Sequence, residues 1–98
     1  MMRVLKVSPL KNWKIEINPT AEKSYRKLDK KTRVRIKEAL SKLEKSDNPF
    51  LEQHVRSLTG ELKGDFRLRV GDLRILFTPD KKRKVLTIYA ILPRGKAY

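Results

Sequence analysis

Apolar and polar residues change their period several times along the chain. Trp13, Ile15 and Ile17 alternate with Lys14 and Glu16, the period-two pattern of a half-buried strand. Asn18-Pro19 then reads as a helix start, an N-cap followed by proline at the first helical position, where its missing N–H is not needed. Ala21, Tyr25 and Leu28 fall on one face of that helix. Asp29 is placed to cap a second helix, in which Ile36, Ala39, Leu40 and Leu43 give the i, i+3, i+4, i+7 stripe. Ser46-Asp47-Asn48-Pro49 ends it, because proline cannot continue the hydrogen-bond ladder. From Asn48 to Gly64 periodicity is lost, and the segment reads as a connection anchored to the core by Phe50, Leu51, Val55, Leu58 and Leu62.

Beyond Gly64 the period returns to two. Phe66, Leu68 and Val70 alternate with Arg67 and Arg69, Gly71-Asp72 fits a tight hairpin turn, and Leu73 to Thr78 makes the returning strand. Pro79 to Lys84 reads as a charged turn, and Val85 to Leu92, apolar on both faces, as a central strand. The predicted fold is α+β: an N-terminal strand, an antiparallel two-helix hairpin, then a three-stranded antiparallel meander with the helices on one sheet face. With no repeat or linker in sight, residues 1–98 read as a single domain, in which residues 1–11 add an edge strand or remain an arm.

Composition narrows the function. A chain of 98 residues supports one thin core. It has no cysteine and one histidine, His54, which excludes disulfides, thiolate chemistry and histidine metal clusters and points to no metal and no cofactor. No apolar run approaches the roughly 18 residues of a membrane span, and the N-terminus lacks the pattern of a secretory signal, so the expected setting is cytoplasmic. The net charge is +14, which self-repulsion makes unfavourable unless a polyanion is the partner. The 37% charged residues also fit the surface of a heat-stable protein, but such surfaces balance the two signs. Residues 1–18 carry +3, residues 19–46 carry +6, residues 47–65 carry −2 and residues 66–98 carry +7, so the positive charge has a helical and a strand source.

The strand source carries the candidate chemistry. Side chains two apart share a strand face, so if Phe66, Leu68 and Val70 meet the helices, Arg67 and Arg69 point away from them. Arg74 comes back beside them on the hairpin, and Arg94, Lys96 and Tyr98 leave the last strand at the same two-residue spacing. Arginine forks grip phosphate oxygens in bidentate fashion, and a tyrosine can stack on an unpaired base. Such a set suits a splayed single strand of RNA better than a duplex. Plainer readings stand beside this one. Arg67 and Arg69 could line a solvated strand, Arg74 could pair with Asp72 or Asp65, His54 reads as a surface loop residue, and Tyr98 ends the chain.

The stretch LTGELKGDFRLRVGDLRILF, followed by PRGKAY, resembles the core of the RelE toxins of the RelE/ParE superfamily, and Trp13 to Leu43 is similar to that family's opening strand and helix hairpin. The resemblance implies a type II toxin: a ribosome-dependent, metal-independent endoribonuclease that cleaves mRNA in the A site by attack of a ribose 2′-hydroxyl on the adjacent phosphate. It also implies partners, a cognate acidic antitoxin of the RelB kind, and the ribosome with its mRNA and ribosomal RNA. By position, the resemblance gives Arg67 and Arg69 the two basic strand sites, Arg74 the transition-state phosphate, Arg94 a clamp or proton-donor role, Tyr98 stacking on the substrate, and Lys96 an extra RNA contact. Lysine stands at the two strand sites in some relatives; arginine stays protonated and is a poor base. Leu73 also replaces the tyrosine common after Gly-Asp. A ParE-like toxin that binds gyrase, and an RNA- or ribosome-binding relative with weak catalysis, are the alternatives.

Overall fold

A computed structural model describes residues 12–93. The candidate strand or arm over residues 1–11 and the tail carrying Arg94, Lys96 and Tyr98 lie outside them. The elements run β1 (Lys14–Ile17), α1 (Pro19–Arg26), α2 (Lys30–Lys45), β2 (Val55–Ser57), β3 (Phe66–Val70), β4 (Leu73–Asp80) and β5 (Val85–Pro93). They form one five-stranded sheet in the order β1-β5-β4-β3-β2. β1 runs parallel to β5, and every other neighbouring pair is antiparallel.

Both helices begin where the capping residues stand. Asn18 Oδ1 accepts the Ala21 N–H at 2.8 Å, and Asp29 Oδ1 accepts the Thr32 N–H at 3.2 Å, each satisfying a first-turn donor that no helical carbonyl reaches. Hydrogen bonding from Thr32 holds the Asp29 carboxyl below its ordinary value of 3.8. The Tyr25 hydroxyl donates to the Arg33 carbonyl at 3.3 Å and ties α1 to α2. The helix stripes meet the sheet through Ala21, Ile36 and Leu43, packed against Leu68, Val70, Ile75, Phe77, Leu86, Ile88 and Ile91. A row of aromatic rings closes the core under the chain that leaves α2. Trp13 meets Phe50 edge-on at 5.4 Å, Phe50 lies 4.6 Å from Phe66, and Phe66 stacks on Phe77 at 5.9 Å.

Three expectations need correction. The segment read as a plain connection contains β2, framed by 3-10 turns at Pro49–Leu51 and Gly60–Leu62. A strand of three residues is too short to show a period, and only its pairing with β3 defines it. Leu51, expected as an anchor, is 81% exposed, whereas Val55 and Leu58 are buried. β4 runs on through Pro79 and Asp80, so the turn is confined to Lys81–Lys84 and is braced by Asp80, whose carboxylate accepts the Arg83 N–H at 3.1 Å. The hairpin between β3 and β4 works with glycine first because Gly71 has φ +58° while Asp72 is not left-handed, a need that Gly-Asp meets and Asp-Gly would not.

Candidate functional site

Strand register decides which side chains share the sheet face turned away from the helices. Arg69 lies directly opposite Arg74, and Arg67 opposite Leu76, so all three predicted strand arginines stand on that face. The pairing of β2 adds a fourth, because Arg56 lies directly opposite Arg67. The result is two neighbouring cross-strand rows, Arg56–Arg67–Leu76 and Arg69–Arg74, with Leu76 as an apolar floor only 1% exposed. Like charges placed directly opposite each other destabilise a sheet. Two such pairs side by side make this face a natural seat for an anion.

The main chain fixes part of the cluster. The carbonyl of His54, just before β2, accepts the Arg69 N–H at 3.0 Å and Arg67 Nη1 at 3.4 Å. His54 itself is exposed and takes φ +72°, a left-handed conformation uncommon for a residue with a β-carbon and often found at functional sites. Among the described residues, neither Arg56 nor Arg69 makes an ion pair or a side-chain hydrogen bond. Two clefts open beside the rows. One of about 410 Å³ is lined by Glu52, Gln53, His54, Arg56, Arg67 and Arg69. The other, of about 460 Å³, is lined by Arg56, Ser57, Thr59, Leu62 and Arg67 with Glu61.

Next to the cluster, Asp65 accepts the Thr78 hydroxyl at 3.0 Å and the Tyr89 hydroxyl at 2.8 Å. Asp65 is therefore committed to hydroxyls across β4 and β5, where a structural pairing with Arg74 had been the alternative. Burial first, and the Asp65 carboxylate second, push the Tyr89 phenol up to about 12, so it stays protonated and donating. Tyr89 is also the extra residue of a bulge, since Leu76 faces Ala90 while the next residue, Phe77, faces Ile88. The network thus fixes the sheet where its register shifts, beside Arg67.

Of the predicted site residues, Arg67, Arg69 and Arg74 are brought together, while Arg94, Lys96 and Tyr98 fall outside the described residues. Leu73, at the position where relatives were expected to carry a ring, faces the core. Arg56, the Asp65–Thr78–Tyr89 network and the His54 carbonyl went unread. Arg56 sits in the one stretch with net negative charge, and averaging over residues 47–65 hid it. Chemically, the face can bind and neutralise phosphate; its arginines supply charge and hydrogen bonds but no base.

Comparison with known proteins places this geometry. A family model described as the ParE toxin of the type II toxin-antitoxin system parDE matches residues 15–98. The chain is similar to the archaeal RelE-RelB complex from Pyrococcus horikoshii, at 30% identity over 87% of this chain and 98% of that one, with a TM-score of 0.72. The same fold occurs in the isolated E. coli RelE toxin, at 17% identity over 87% of each chain and TM-score 0.67. It also occurs in the YoeB/ParE toxin from Agrobacterium tumefaciens, at 14% identity over 83% and 98% of the two chains and TM-score 0.70. A sequence search of curated proteins found no match. The family match across the sheet and tail, together with the archaeal RelE likeness, establishes that the chain belongs to the RelE/ParE superfamily of toxins from type II toxin-antitoxin systems.

Proposed function

We propose that this toxin acts as a RelE-type endoribonuclease that cuts mRNA in the ribosomal A site and so inhibits translation. The observation that carries the reading is the direct opposition of Arg69 and Arg74 beside Arg67, on the sheet face turned away from the two described helices. In the proposed reaction the ribose 2′-oxygen bonds to the adjacent phosphorus as its proton leaves. The P–O5′ bond breaks, and the departing 5′-oxygen takes up a proton, giving a cyclic phosphate and a 5′-hydroxyl without a metal. Arg67 and Arg69 hold the substrate, and Arg74 stabilises the charge that grows on the phosphoryl oxygens. From the tail, Arg94 clamps the phosphate or protonates the leaving oxygen, Tyr98 stacks on a base, and Lys96 adds an RNA contact. Because arginine is a poor base, cleavage is slow, or the ribosome contributes the proton acceptor.

The toxin works in the cytoplasm as one domain, held in check by an acidic, partly disordered antitoxin of the RelB kind that wraps the basic surface. The similar archaeal protein was solved as a RelE-RelB complex, which supports this partner. The family description names ParE, and it favours one second reading, a toxin directed at gyrase that cleaves nothing. Two assays on the same purified protein separate them. Programmed ribosomes are scored for new mRNA ends, and gyrase for loss of supercoiling. The RelE-type reading expects cleavage with gyrase untouched; inhibited gyrase with intact mRNA would replace it.

A further inference from the structure

We propose that Arg56 and Arg67 form a second phosphate position, one nucleotide away from the Arg69–Arg74 row; this rests on the reading of the arginine face as an RNA site. Arg56 faces Arg67 directly across β2 and β3, and these two are the residues common to both clefts, standing on the crest between them. An RNA backbone crossing that crest puts a phosphate on the two guanidinium groups and a nucleotide into each cleft, and the cleft volumes are in the range of small-ligand sites.

Three further features fit a phosphodiester at this place. Arg67 and Arg69 stand two residues apart along β3, roughly 6.7 Å at strand rise, and the two arginine pairs are also offset by one strand spacing, so their centres lie roughly 8 Å apart, a separation that a splayed single strand can span. Arg67 is already aimed by its bond to the His54 carbonyl, so less freedom is lost when it grips an anion. Each cleft also has one carboxylate in its lining, Glu52 in one and Glu61 in the other. Glu52 Oε2 accepts the Ser46 hydroxyl at 2.7 Å, and Glu61 belongs to the 3-10 turn Gly60–Leu62. Arg56 itself is exposed on an edge strand with no side-chain partner among the described residues. A plain solvated edge offers no reason to set an arginine opposite another.

The test uses the full chain and a short single-stranded RNA, 2′-O-methylated throughout to block cleavage and carrying one uncharged methylphosphonate linkage at each position in turn. Affinity is read by fluorescence anisotropy across a salt series. Arg56→Gln is expected to weaken the fully charged RNA about 3- to 10-fold and to lower the slope of log affinity against log salt by about 0.7, the loss of one phosphate contact. One neutral linkage should weaken binding by wild type at least as much as Arg56→Gln does and weaken Arg56→Gln itself less, since only Arg67 remains to hold that phosphate, with Arg56→Lys in between. Unchanged affinity and slope in Arg56→Gln, while Arg69→Gln binds more weakly, would overturn the second phosphate position alone. Unchanged binding in both variants would remove the RNA reading of the whole face.

Discussion

Replacing Arg69 by threonine should make the free protein more stable while removing its function. Arg69 donates its N–H to the His54 carbonyl on the β2 side, so towards β4 it forms a non-hydrogen-bonded pair with Arg74, the type in which side chains come closest. Two unit charges about 6–7 Å apart repel by roughly 0.6–2.5 kcal/mol between water-like and surface-protein dielectrics, and physiological salt screens part of that. Relief of about 0.5–1 kcal/mol agrees with the usual range for cross-strand charge pairs. In a domain of this size that corresponds to a Tm rise of about 2–8 °C. The assay is thermal unfolding of wild type and Arg69→Thr at low salt and at about 1 M salt, where the screening length falls to about 3 Å. The stabilisation should shrink at high salt, which separates it from the strand preference of threonine. Lys82→Thr, in the β4–β5 turn, measures what lowering the +14 net charge does anywhere on the surface. A lower Tm for Arg69→Thr, a gain untouched by salt, or an equal gain from Lys82→Thr would refute the opposed-charge argument.

Arg74→Gln should lower the single-turnover cleavage rate on programmed ribosomes by about 10²- to 10³-fold, the usual loss when one transition-state donor is removed, with an unchanged circular dichroism spectrum. Phe77→Ala, at the end of the aromatic row and 1% exposed, should cost about 3–5 kcal/mol in urea unfolding. Tyr89→Phe should abolish a phenolate absorbance change near pH 12. Because the folded value lies above the ordinary 10.0, what this phenol contributes to stability is complete below pH 10 and is lost as the pH rises through about 12; the variant should lack that part of the alkaline loss.

Legibility in the sequence followed the length of each periodic signal. α2 has 16 residues and showed its stripe, both helix caps stood at the residues that fill them, and the alternation in β3 assigned its arginines to the correct face. β5 read as central because it is apolar on both sides, and it lies between β1 and β4. What stayed hidden is held by pairing. β2 has three residues, and Arg56 acquires its meaning only through its register with Arg67. The facing of Arg74 depended on a turn whose geometry hangs on φ at Gly71. The Asp65–Thr78–Tyr89 network joins residues up to 24 positions apart through a bulge, for which no local pattern exists.

If the arginine face cuts RNA on the ribosome, cleavage must disappear with its opposed arginines. The most direct test is to add wild type and the Arg69→Gln/Arg74→Gln variant to ribosomes carrying a defined mRNA, then map the new 5′ ends and identify the new 3′ termini. Wild type should make cuts within A-site codons, ribosome-dependent and ending in cyclic phosphate, that vanish in the double variant. Equal cleavage by the double variant, or no cleavage by wild type, would rule out this role for the arginine face.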